Sequence, residues 1–227
     1  MEDAGHLMRR AGFGGSPEEI RKVHELGREV VVDALLAPEE PFDKFPLPDW
    51  AANSANEIAE RMADHREFRK GLSSKSEEER AKVQQARIRG RQREYRQRLS
   101  ESSRWWFNRM MRTRAPLREK MVLFWHDHFA TSAQKVRLPH LLLGQNELFR
   151  RNAVGDFKQL THKILMDPAM MLYLDTSMSK KSKPNENFAR EVLELFTLGE
   201  GNFTEDDIKE AARAFTGYTV NLSLIHI

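Results

Sequence analysis

The sequence predicts an all-α protein, an irregular multi-helix bundle carrying one long charged helical arm. Three observations support this. Apolar residues recur at helical spacings in segment after segment, and capping residues stand directly before several of those segments. No run alternates apolar with polar side chains as a half-buried strand would. With 227 residues, 40% hydrophobic and 31% charged, the chain is long enough for one substantial core or two small ones.

Ser16-Pro17-Glu18-Glu19 opens the first of these helices. Ser16 caps it, Pro17 suits its first turn and Glu19 completes a capping box. Ile20, Val23, Val30, Val31 and Ala34 then share a face, with Gly27 as a break. The Gly12-Phe13-Gly14-Gly15 run has no strand before it and no Gly-Lys-Ser/Thr ending, so it reads as a flexible approach to the helix rather than a phosphate loop. Pro38, Pro41, Pro46 and Pro48 mark a loop.

From Glu77 to Met111 the chain reads as one long helix, with Ile88, Tyr95, Leu99 and Trp106 as a narrow apolar stripe. Six arginines stand between Arg87 and Arg98 against one acid, Glu94. This is either a solvated helix face or a contact for nucleic acid or another anionic surface. Thin aromatic interleaving favours the solvated face. Residues 70–104 form the expected arm within a single helical domain, 1–221.

Pro116 starts a further helix that runs through Trp125 into His126-Asp127-His128-Phe129. Helices follow over Leu138 to Arg151, over Phe157 to Met166 behind an Asp156 cap, and over Ala169 to Leu174 behind Asp167-Pro168. Residues 176–183 are a polar loop. Pro184 to Leu198 is the clearest amphipathic helix, ended by Gly199, and Thr204 with Asp207 caps a last helix through Ala214.

Composition narrows the chemistry. Cysteine is absent, which removes disulfides, thiolate metal sites and cysteine nucleophiles. A net charge of +3 is too small to imply a nucleic-acid binder by itself. No apolar run approaches the roughly 18 residues of a membrane span. The first fifteen residues lack the apolar stretch of a secretory signal, so a cytoplasmic location is the default if Met1 is the true start.

Six ordered segments resemble the bacterial family catalogued as domain of unknown function 1800. They are His6 to Gly14 (HLMRRAGFG), Pro116 to Ser132 (PLREKMVLFWHDHFATS), Gln145 to Arg151 (QNELFRR), Asp167 to Leu174 (DPAMMLYL), Pro184 to Gly199 (PNENFAREVLELFTLG) and Glu210 to Gly217 (EAARAFTG). The resemblance implies a longer protein whose second half holds another His-Asp motif and further helices. It also implies frequent secretion, hence a secreted or periplasmic alternative if the true N-terminus is missing, and a gene neighbour from another uncharacterised family. It brings no established reaction. Leu222 to Ile227 (LSLIHI) resembles the translated end of a sequencing adapter, so we expect a truncated chain with a non-native tail at 222–227.

The candidate site residues are His126, Asp127, His128, Asn187, Glu191 and Glu194. Asn187, Glu191 and Glu194 stand at i, i+4 and i+7 and form one helical stripe, while Phe188, Val192, Leu193, Leu195 and Phe196 fill the opposite arc. Two carboxylates a turn apart can ligate a divalent metal or divide acid and base roles, with His126 and His128 completing the sphere. Residues two apart on a helix point roughly 200° apart, so both histidines serve one site only if their helix ends there. Neither His-Glu-x-x-His nor the Glu-x-x-His of di-iron bundles is present. The plain alternatives are a solvated acidic face with an Arg190–Glu194 pair, and His128 packed beneath Trp125 and Met121.

Three functions follow. The first is an accessory or interaction protein working with a protein partner. The second is a hydrolase or oxidoreductase, metal- or carboxylate-dependent, using His126 or His128 with Glu191 and Glu194. The third is anionic-surface or nucleic-acid binding through the Arg87 to Arg98 helix.

Overall fold

Local signals set the helix starts. In the computed structural model, which describes residues 1–37, 45–52, 63–64 and 66–220, the Ser16–Glu19 capping box opens α2 (Pro17–Leu26) behind α1 (Glu2–Arg10). Gly27, at φ +81°, separates α2 from α3 (Arg28–Leu36), a left-handed backbone that suits glycine. A short α4 (Asp49–Ala52) and α5 (66–72) follow. Ser76 and Glu79 form a second capping box at the head of α6 (Glu77–Arg112), 36 residues and about 54 Å long.

The rest of the chain makes the core. It comprises α7 (Pro116–His128), a short α8 (Ala133–Val136), α9 (Pro139–Arg151), α10 (Phe157–Leu165) and α11 (Pro168–Tyr173). The Asp156 and Asp167 side chains cap α10 and α11 by accepting from the Gln159 and Met170 amides. Then come α12 (Glu186–Glu191), a π-helical turn (Val192–Thr197) and α13 (Glu205–Ala214) behind a Thr204–Asp207 box. Among the described residues there is no strand, only an isolated bridge between Lys180 and Lys183 in the polar loop. The all-α class is observed.

The central helix is α9, packed against α6, α7, α10 and α11. Its Phe149 joins Val122, Phe129, Leu160, Ile164, Met170, Phe188, Val192 and Phe196 in the main core. Burying one such side chain contributes about 1.5–3 kcal/mol. A smaller cluster of Ala189, Ile208 and Ala212 seals α12 against α13.

Three expectations need correction. The amphipathic helix is not one α-helix to Leu198: its second half is the π-helical turn, where the Gly199 and Leu198 amides both donate to the Leu193 carbonyl. The lower twist of a π-turn leaves Phe196 near Val192 but swings Leu195 away, and Leu195 is 60% exposed rather than buried. Ile88, expected in the apolar stripe of α6, is 57% exposed. The stripe meets the core only from Tyr95 onward, where the phenol donates to the Ala133 carbonyl at 2.6 Å. The 222–227 tail lies outside the described residues.

Candidate functional site

The most concentrated polar chemistry lies inside the bundle, where α6, α7 and α9 meet. Glu119, on the first turn of α7, and Arg150, near the end of α9, are each 1% exposed. Arg150 grips Glu119 bidentately, Nε to Oε1 at 2.6 Å and Nη2 to Oε2 at 3.0 Å. Arg109 of α6 donates Nε to Glu119 Oε1 at 2.8 Å, and the Trp106 indole donates to Oε2 at 3.1 Å. Arg150 Nη1 also donates to Glu147 on its own helix, and its guanidinium lies 5.1 Å from the Trp105 ring centre. Burial pushes the Glu119 carboxyl up, but the hydrogen bonds and charges of Arg150 and Arg109 outweigh it and hold it below the usual range.

His126 is wired into this cluster. Asn146 joins them, its Oδ1 accepting from Arg150 Nη2 at 2.7 Å and its Nδ2 lying 3.0 Å from His126 Nε2. Because a guanidinium only donates, the amide oxygen must face Arg150, so the amide nitrogen donates to His126 Nε2. That ring nitrogen is therefore unprotonated. Burial first, and the Arg150 charge second, push the imidazole down to about 4, in agreement with a neutral acceptor. The ring is wedged between Trp106 and Phe149, with centroids 4.9 and 4.8 Å away.

His128 points elsewhere. The α-helix runs unbroken through both histidines, so the 200° divergence applies. His128 Nε2 lies 3.0 Å from the Phe196 carbonyl. A carbonyl only accepts, so Nε2 carries the proton. Its ring stacks with Phe124 and meets Trp125, Phe129 and Phe157 edge-on. Phe124 is 51% exposed and Phe157 41%. The result is an aromatic surface at the C-terminal end of α7, supported beneath by buried Phe129 and Phe196.

The acidic stripe has other partners. Glu194 pairs with Arg190 at 3.2 Å, and Arg190 also holds Glu205 at the start of α13. The Arg190 hydrogen bond, foremost, lowers the Glu205 carboxyl. Asn187 and Asp127 are exposed and Glu191 half-buried. His128 thus reaches the segment that carries Glu191 and Glu194, but it does so at the Phe196 backbone. Among the described residues no group of three or more His, Asp or Glu side chains gathers as a metal-binding set.

Sequence reasoning passed over Glu119, Arg109, Glu147 and Arg150. A signal existed in α9, where Asn146, Glu147 and Arg150 share a face within a segment otherwise rich in leucine. The same helix directs Gln145 at Asp167, Nε2 to Oδ2 at 2.8 Å, beside the Asp167 cap on α11. Burial, against the bonds from Met170 and Gln145, pushes the Asp167 carboxyl up to about 6.

These features define an all-α protein whose interior is pinned by a hydrogen-bonded ion-pair cluster and whose α7 ends in an aromatic surface. The chain belongs to the family described as protein of unknown function (DUF1800), whose profile matches residues 6–224. No curated protein and no solved structure matches the chain. No helix among the described residues is long and apolar enough to cross a membrane.

Proposed function

We infer that this chain is an interaction protein that works with a protein partner and docks it through the aromatic surface of Phe124, Trp125, His128 and Phe157. One observation carries the reading: two phenylalanines, each exposed by two fifths or more, flank one histidine on a platform backed by the core. Aromatic anchors clustered on a rigid support are the usual source of binding energy at protein interfaces. Their exposure in the free chain is a standing cost that a partner removes. The chemistry nearby agrees, since both histidines spend an Nε2 on partners within the fold.

The test is co-expression with the product of the neighbouring gene that the family resemblance implies, followed by gel filtration and titration. Co-elution is expected for the native chain. A Phe124→Ser, Phe157→Ser pair should weaken binding at least tenfold, about 1.4 kcal/mol. Failure of the native chain to bind, or unchanged affinity of the double variant, overturns the reading. A hydrolytic or redox activity lost in both His128→Ala and Glu191→Gln would put an enzyme in its place.

A further inference from the structure

The arginine-rich helix α6 presents one exposed face that the fold leaves open. At 100° per residue, Arg89, Arg93, Arg96, Arg104, Phe107 and Met111 fall within an arc of about 80°. All six are exposed, Phe107 by 61% and Met111 by 66%. The face runs about 33 Å along the helix. Among the described residues none of these four arginines makes an ion pair, whereas Arg87 is held by Asp64 and Arg98 by Glu94. The two acids of this stretch, Glu94 and Glu101, lie toward the sides of the helix and off the arc. The side turned inward is anchored, through Tyr95 to Ala133 and through Trp106 and Arg109 to Glu119, which fixes the basic face outward.

We propose that this face docks the protein onto an anionic lipid bilayer, with Arg89, Arg93, Arg96 and Arg104 on the headgroup phosphates and Phe107 and Met111 entering the interface. Charge complementarity names a polyanion. The two exposed apolar side chains on the same arc select a bilayer over a nucleic-acid strand. A nucleic-acid groove interleaves its aromatics with its cations, so that bases can stack between phosphate contacts. Here the cations come first along the helix and the apolar residues last. A basic patch combined with a small apolar insertion suits peripheral membrane attachment, in which neither element alone suffices.

Flotation of the full chain with vesicles tests this, using phosphatidylcholine alone or with about one third phosphatidylserine. A fluorescent DNA duplex and single strand serve as alternative polyanions. Binding is expected to the anionic vesicles only and to fall with salt. It should drop at least about tenfold in the Arg89→Gln, Arg93→Gln, Arg96→Gln, Arg104→Gln variant. Glutamine is a good helix former, so circular dichroism should be unchanged. Phe107→Ser with Met111→Ser should weaken vesicle binding further at high salt, where insertion carries more of the affinity. Equal binding to neutral vesicles, no binding to anionic ones, retention in the fourfold variant, or binding to DNA without binding to vesicles each overturns the proposal. The aromatic surface of α7 is untouched by these variants, so the partner-docking reading stands or falls separately.

Discussion

Burial pushes His126 down to about 4 and Asp167 up to about 6, so the two groups tilt the pH dependence of stability in opposite directions. A histidine depressed from 6.5 contributes stability that is present above 6.5 and lost as pH falls through about 4. A carboxyl raised from 3.8 contributes stability that is present below 3.8 and lost as pH rises through about 6. Between pH 4 and 6 the slopes oppose, and each group is worth up to about 3 kcal/mol. Asp167→Asn keeps the α11 cap and removes one slope, so its stability should climb steeply from pH 4 to 6.5. His126→Gln should do the reverse and fall with rising pH between 4 and 6. Urea denaturation at half-unit pH steps reads both, and parallel curves for the two variants would refute the assignment. The spacing of His126 and His128 shows that they diverge. It does not show that burial, joined by the charge of Arg150 twenty-four residues further on, keeps His126 a neutral ring.

At the scale of elements, the π-helical turn decides which apolar residues of the fifth family-like segment belong to the core. Val192 and Phe196 are buried and Leu195 is not. Leu195→Ser should therefore shift stability by no more than about 0.5 kcal/mol, while Phe196→Ala should cost about 3–5 kcal/mol. Equal losses in chemical denaturation would mean that the segment is an ordinary α-helix with Leu195 packed inward. The helix starts were legible because a capping residue works within four residues of chain, as Ser16, Asp156, Asp167 and Thr204 do here. The change of pitch was not. The pattern of apolar residues after Pro184 fits an α-helix, and the extra residue per turn is fixed by what Phe188, Val192 and Phe196 pack against.

For the whole molecule, packing is uneven along α6. Its first two turns are wholly exposed, apart from half-buried Val83, whereas its last turns hold Trp106 and Arg109 against Glu119. Amide exchange from Glu77 to Arg91 should be orders of magnitude faster than in Phe149 or in Phe188 to Val192, since few buried contacts oppose local opening there. Equal protection by mass-spectrometric exchange would show the helix to be braced along its full length.

Local chemistry alone determined that this chain is helical, where most helices begin, and that α6 carries an arginine-rich stretch. Caps, prolines and the 3.6-residue period act over a turn or two, so each segment states its own preference. The tertiary structure decided what those side chains meet. Glu119 and Arg150 are 31 residues apart and share hydrogen bonds only because α7 and α9 pack side by side. His128 reaches a backbone carbonyl 68 residues away in the same manner. Whether an arginine ends buried on a carboxylate, as Arg109 and Arg150 do, or exposed on an open face, as Arg89 and Arg93 are, depends on which side of a helix a distant element covers. That choice is made by the packing of the whole chain and is written in no single segment of it.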